Sequence, residues 1–562
     1  MSIAAPDISD RLAAAARGRP NRWVVAPLVA AALVSVPVLV VVAQVFVPAG
    51  DVWRHLVDTV LARYVANTIW LGLGVGVATL ILGTGTAWLC GMCRFPGRRW
   101  FEWALLLPLA VPTYAIAFTY AGMLDYAGPA QTALRETFGW GRDDYWFPDI
   151  RSLGGAIVVM SLVLYPYVYM LARAAFIGQS VCALEISRTL GRGPWRGFTG
   201  VALPLARPAL VAGVALAVME ALGDFGTVQY YGVDTFTTGI YRTWFGLGDA
   251  SAAGQLSALL LCFVFLLLIG ERASRGRAQY HHTTARYRPL PAYPLRGARA
   301  GLAVAACLAP LVLGFLLPGA QLLVWTVQSA AETLDWHFLS LVWHSVSLAA
   351  VTAVLAVAVA LLVAYAVRLG GGRLTRAAAR IAGLGYAVPG SVIAVGVLLP
   401  FAWIDTSVDT LARDWFGRST GLLLTGGVVA LVFAYLVRFL AVSLNTVESA
   451  LLKVTPSMDG AARTLGAGPG RVLARIHAPL IAGGLLTAGL LVFVDVMKEL
   501  PATLIMRPFN FDTLAVRAYE LATDERLADS ASASLAIVAA GLIPVILLSR
   551  AITRSRPGAA AP

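Results

Sequence analysis

Long uninterrupted apolar runs restrict the folds open to this chain. The stretches 23–47, 251–270 and 300–327 contain no Asp, Glu, Lys or Arg at all. A helix of roughly 20 apolar residues crosses the hydrocarbon core of a bilayer. There, only helices and closed barrels satisfy every backbone N–H and C=O. The alternating ten-residue pattern of barrel strands is missing, so the expected fold class is all-α, a polytopic membrane protein. Of the 562 residues, 59% are hydrophobic and only 13% charged, too few for the surface of a soluble domain this large. Twelve spans are expected, near 23–47, 64–92, 101–124, 152–177, 205–230 and 251–270, then 300–327, 344–368, 379–402, 421–443, 479–505 and 531–550.

The net charge of +13 comes almost entirely from arginine, with Lys453 and Lys498 the two lysines. The arginines fall in short loops after even-numbered spans, among them Arg94, Arg98, Arg188, Arg272, Arg368, Arg471 and Arg554. This is the positive-inside pattern, and it places those loops and both termini in the cytoplasm. With no soluble basic module, nucleic acid is not an expected partner; membrane lipid is. The basic N-terminus followed by 23–47 is too long for a signal peptide and reads as a first membrane helix. Cys90 and Cys93 read as small residues in a span, not as a metal or redox pair. His281 and His282 read as solvated linker.

The chain repeats itself. RTLGRGPWRGFTGVALPLARP begins at Arg188 and RTLGAGPGRVLARIHAPLIAG at Arg463, 275 positions on. Pro204 and Pro479, and Arg242 and Arg517, keep that spacing, and Ala110–Pro112 returns as Ala387–Pro389. Six spans per copy give both copies one orientation, a parallel repeat. The expected organisation is a tail at 1–22, a first half at 23–270 with an internal loop at about 178–207, and a linker at 271–299. A second half follows at 300–550, with its loop at about 444–478, and then a tail at 551–562. Gly191 and Gly466 suit the left-handed residue that ends a helix. Gly193-Pro194 and Gly468-Pro469 suit the start of the next. Each loop therefore reads as a helix–turn–helix elbow on the cytoplasmic face, long for a mere connection. Two equivalent elbows imply two equivalent partner sites.

Glu185-x-x-Arg188-x-x-Gly191, ending in Leu203-Pro204, resembles the EAA loop of ATP-binding-cassette importer permeases. So does Asp459-Gly460-Ala461-Ala462-Arg463 with Gly466 and Ala478-Pro479, although Gly460 stands where that family has glutamate. The resemblance implies the type I importer permease fold and coupling helices at Glu185, Arg188 and Gly191 and at Asp459, Arg463 and Gly466. It also implies two copies of a cytoplasmic ATPase using ATP and Mg²⁺, and a periplasmic substrate-binding protein. The fused double length, and EALGDFGTVQYYGVDTFTTGIYRTWFG from Glu220, look most like permeases of ferric-iron importers. Thiamine, polyamine, phosphonate and sulfate-like substrates are the alternatives within the class. Neither lysine follows a glycine as a P-loop requires, so the chain is expected to be no enzyme and to hold no cofactor.

Charges inside a membrane are costly and usually functional. Glu220 and Asp224 in the fifth span return as Asp495 and Glu499 in the eleventh. A spacing of four puts each pair on one helix face, and the repeat brings all four towards a substrate pathway. Oxygen ligands of this kind suit a hard cation, so transient iron contact is expected at Glu220 and Asp495, with no permanent metal. Lys498 beside Glu499 is its obvious ion partner. An ion-coupled secondary transporter has the same layout but no use for the elbows.

Overall fold

The computed structural model describes residues 22–48, 50–178, 194–275, 293–370 and 372–554. The first elbow with Glu185, Arg188 and Gly191, the His281–His282 linker and the ends of both tails lie outside them. Among the described residues the structure is almost wholly helical. Its sheet is a single parallel pairing of Cys93–Arg94 with Tyr293–Pro294. Among the described residues, ten helices are long and apolar enough to cross a membrane, or twelve if two sharply bent pairs each count as one span.

The bends fall where the sequence interrupts the backbone ladder. Arg98–Ala110 and Thr113–Phe138 meet at 90° around Ala110-Val111-Pro112. The second copy of that motif likewise ends a 3₁₀ turn, Gly385–Ala387, before a new helix at Gly390–Phe416. Proline has no N–H and pushes the preceding residue out of the helical region, so the expected continuous spans 101–124 and 379–402 are broken there. The spans expected at 205–230 and 479–505 are broken as well. The first is Leu203–Gly223 followed by Gly226–Tyr230, and the second is Ala482–Met497 followed by Pro501–Met506.

Contacts divide the chain into two compact units that do not follow the expected halves. The larger takes 37–352, 387–435 and 493–562, so it holds most of the first copy and much of the second. Within it, Leu61–Met92, Leu153–Gly178 and Leu203–Gly223 pack as a trio. Small residues let their backbones close up, as membrane helices do where lipid supplies no hydrophobic drive. A Cβ on Gly83 would lie 2.6 Å from Val168 Cβ, and one on Gly213 2.8 Å from Val168 Cα.

The larger unit also shows a reciprocal exchange. Gly390–Phe416, the third segment of the second copy, packs on Ala250–Arg275, the last helix of the first. Conversely, Leu107–Ala110 and Thr113–Leu124 of the first copy pack on Leu527–Arg554, the last helix of the second. The copies are therefore not separate bodies.

The smaller unit comprises the described residues of 1–36, with 353–386 and 436–492. Its interior is closed by Tyr365, whose ring meets Trp23 edge-on at 5.1 Å. There too a glycine admits a neighbouring backbone, since a Cβ on Gly385 would fall 1.9 Å from Val437 O.

The exchange makes a specific demand at Gly541, where an added Cβ would come within 2.6 Å of Ala110 O. Gly541→Val is expected to destabilise the detergent-solubilised chain by about 2 kcal/mol, read as a lowered thermal midpoint. Gly470→Ala, a glycine with open space around it, should leave the midpoint where it is.

Candidate functional site

The second elbow belongs to the smaller unit and is built as its punctuation suggests. Pro456–Thr464 is a helix with proline in its first turn. Gly466 follows at φ 76. Its N–H donates to Arg463 O at 3.0 Å, and the Ala467 N–H donates to Ala462 O at 3.0 Å. These two bonds satisfy carbonyls that a helix end otherwise leaves bare. Gly468 then opens Pro469–Val472.

Asp459 is engaged within the chain. Its carboxylate accepts from Arg368 Nε at 3.0 Å and pairs with His477 Nε2 at 2.5 Å. Arg368 also donates to Leu451 O at 2.9 Å and Val454 O at 2.8 Å. Tyr365 adds a hydrogen bond to Pro469 O at 2.8 Å. The elbow is thus clamped to the end of Trp336–Arg368. Burial raises the Asp459 pKa, but the His477 bond and the Arg368 pair outweigh it and hold the carboxyl below the usual range. Such a group stabilises the fold at every pH above the ordinary Asp value and loses that effect only as pH falls through its lowered pKa.

What the elbow exposes is different. Arg463 and Gly460 face outward, and Gly460 has open space around it. Beside them stand Leu452 at 84% exposure, Leu465 at 86% and Met458 at 42%. Sequence reasoning missed these apolar tips. The signal was present, since Leu465 sits inside the repeated Arg-Thr-Leu-Gly as an apolar residue among polar neighbours. The clamp residues Arg368 and His477 were missed as well; Arg368 was read as an orientation signal only.

The intramembrane acids lie in the larger unit and do not form two helical pairs. Glu220 is half-buried in the last turn of Leu203–Gly223, but Asp224 has extended backbone, φ −69 and ψ 140. Its carboxylate accepts from Thr113 Oγ1 at 2.5 Å, Thr227 N at 2.9 Å and Val228 N at 3.4 Å. Glu499 is buried beyond the end of Ala482–Met497, where it accepts from Ala502 N and Thr503 N, both at 3.1 Å. Thr503 Oγ1 lies 2.9 Å from the same carboxylate and 2.5 Å from Tyr435 Oη. Asp224 and Glu499 therefore cap the short helices that follow each break. The breaks themselves meet, because a Cβ on Gly226 would lie 2.7 Å from Tyr114 Cβ and 2.8 Å from Leu500 Cδ2.

Lys498 does not pair with Glu499 as expected. It pairs with Asp495, Nζ to Oδ1 at 2.9 Å, and the two side chains are 24% and 16% exposed. Glu220 lies within electrostatic range of Lys498. Among the described residues, no group of three or more His, Cys, Asp and Glu side chains is placed to hold a metal ion.

A third cluster, unmarked in the sequence, joins the copies. Arg151, just before Leu153–Gly178, donates Nε to Asp125 Oδ2 at 3.0 Å and Nη1 to Glu525 Oε1 at 2.8 Å. Its guanidinium lies 4.7 Å from the centre of the Tyr230 ring. The Arg151 bonds hold the Glu525 carboxyl below its usual range.

A family profile described as binding-protein-dependent transport system inner membrane component matches residues 82–273. An Fe(3+)-transport system permease protein, FbpB 2, of Haemophilus influenzae is 26% identical over 87% of this chain and 90% of its own. The molybdenum transport system permease protein ModB of Escherichia coli is 29% identical over 36% of this chain and 89% of its own. The sulfate transport system permease protein CysT of Escherichia coli is 31% identical over 35% of this chain and 70% of its own. Relatives like ModB correspond to about one copy of the repeat, whereas the Haemophilus protein runs through both.

Two outcomes test these assignments. Asp459→Asn removes the charge but keeps the shape, and should cost about 2 kcal/mol locally. Hydrogen exchange of the 456–467 amides should then quicken roughly 30-fold, with the other helices unchanged. At the Arg151 cluster, a double-mutant cycle of Arg151→Ala and Glu525→Ala should give a coupling of about 1 kcal/mol in thermal stability.

Proposed function

Because the chain belongs to the family of binding-protein-dependent transport system inner membrane components, we propose that it is the multi-pass inner-membrane permease of an ATP-driven ferric-iron importer. A loaded periplasmic binding protein docks at the loops that follow odd-numbered spans. Two copies of a cytoplasmic ATPase grip the two elbows. ATP binding moves the elbows, and the spans pass the ion by alternating access. Hydrolysis belongs to the ATPase subunit, and both termini lie in the cytoplasm.

The observation that carries this reading is the second elbow. Leu452, Met458 and Leu465 expose apolar side chains on this segment, at 84%, 42% and 86%. An internally clamped helix with such tips is suited to insertion into a groove of a partner protein. The clamp of Asp459, Arg368 and His477 gives it stiffness, so force applied at the tips reaches the end of Trp336–Arg368 instead of bending the loop.

Iron is supported by the extent of the match to the Haemophilus Fe(3+) permease, which runs through both copies of the repeat. The carboxylate oxygens of Glu220 and Asp495 are also the ligand type that a hard trivalent cation prefers. In this reading those two acids meet the ion in passage. Asp224 and Glu499, with amide donors on their oxygens, shape the pathway.

The test is reconstitution of the full chain with its ATPase and binding protein in vesicles. Uptake of ⁵⁵Fe from the loaded binding protein should require ATP and the ATPase. Leu465→Asp combined with Leu452→Asp should cut copurification of the ATPase at least tenfold and abolish uptake, while the permease still elutes as a folded protein. Uptake that continues without ATP would overturn the reading in favour of an ion-coupled carrier.

A further inference from the structure

The repeat copies its acids but not its lysine. Glu220 returns as Asp495 and Asp224 as Glu499, each 275 positions later, yet Lys498 falls where the first copy has Gly223. This one-sided residue is cationic, and its side chain is three-quarters buried in a membrane-spanning region. It pairs with Asp495 at 2.9 Å, and Glu220 of the other copy lies within electrostatic range of it.

Two neighbouring carboxylates in a low-dielectric interior repel each other strongly, and one ammonium relieves much of that repulsion. The same arrangement affects anything that travels past. A pathway must attract its ion well enough to admit it and weakly enough to release it. A pair of unneutralised carboxylates would hold a trivalent cation too well. An ammonium tethered beside them competes intramolecularly, at a high effective concentration.

We propose that Lys498 is the resident cation of the pathway. It occupies the charge of Asp495 and Glu220 between transport events and displaces the passing ion from them, so cargo moves through without being retained. The proposal rests on the assignment of Glu220 and Asp495 to the pathway made above. It adds a specificity-determining residue that the opposite copy lacks.

The test uses the full chain in detergent at pH 7.5, with gallium(III) citrate as a redox-inert trivalent probe. Bound metal is measured by equilibrium dialysis and elemental analysis. Wild type and Lys498→Arg should retain no gallium above background. Lys498→Met and Lys498→Gln should each retain close to one ion per chain, and adding Glu220→Gln and Asp495→Asn should abolish that binding. In the reconstituted importer, Lys498→Met should slow iron uptake at least tenfold, and Lys498→Arg should restore most of it.

Absence of gallium binding in both neutral variants, with elution and thermal midpoint unchanged, would overturn the proposal. So would gallium retention by wild type equal to that of Lys498→Met. The dialysis needs neither ATPase nor binding protein, so its failure is distinct from failure of the importer reading. The latter would show as wild-type vesicles without ATP-dependent uptake.

Discussion

A helix that stops inside a membrane leaves its successor with up to four N–H groups lacking partners, and in hydrocarbon each such group costs several kcal/mol. The breaks after Gly223 and Met497 exist because carboxylates meet that demand. Asp224 takes the amides of Thr227 and Val228, and Glu499 those of Ala502 and Thr503. Negative charge at a helix N-terminus is favoured further by the aligned peptide dipoles. Thr113 secures the first carboxylate from a neighbouring helix, and Tyr435 reaches the second through Thr503. Once the spans can stop, the chain can turn at Gly226 and Pro501, and the two turns can meet around Tyr114. The placement of Tyr230 beneath Arg151 follows from the first turn, since Gly226–Tyr230 is the helix that Asp224 caps.

The reciprocal exchange in the larger unit determines what can move. If each copy packed only on itself, the copies could rock as two halves about a shared seam. Here the third segment of each copy is packed on the last helix of the other. The close approach of Gly541 to the Ala110 carbonyl leaves no room for sliding at that contact. Packed interfaces change between discrete arrangements; they do not deform smoothly. A moving body in this protein therefore carries a segment from each copy. The Arg151 cluster crosses between copies in the same way, tying Asp125 and Tyr230 of one to Glu525 of the other.

Much of this was legible in the sequence because it is written in backbone chemistry. Apolar length gave the spans, and Gly466 gave the left-handed end of the elbow helix. The repeated Ala-Val-Pro marked special places, although its sense, a break within a span, was taken for continuity. The error has a physical source. A hydropathy window sees Ala110, Val111 and Pro112 as apolar and does not see the lost N–H. Asp224 and Glu499 were misjudged for a related reason. A spacing of four means a shared face only while the helix continues, and each of these acids lies beyond the end of its helix. Side-chain partners were the least legible. Lys498 adjoins Glu499 in sequence, yet a turn of helix carries its ammonium back to Asp495, and nothing local to Arg368 foretells that it meets Asp459 from 91 positions away.

Backbone devices recur at the 275-residue step more faithfully than the observed ion pairs do. Glycines at the elbow positions, the prolines before spans and the capping acids occur in both copies, and the capping acids shape backbone in each. Lys498 stands against Gly223, Asp459 against Leu184 and His477 against Ala202, and these unmatched residues are ionisable groups engaged in specific pairs. Duplication supplies a symmetric scaffold cheaply, because the same backbone problem has the same solution twice. The pair of Lys498 with Asp495 belongs to one copy alone, so the repeat is closer to symmetric in its backbone than in its charges.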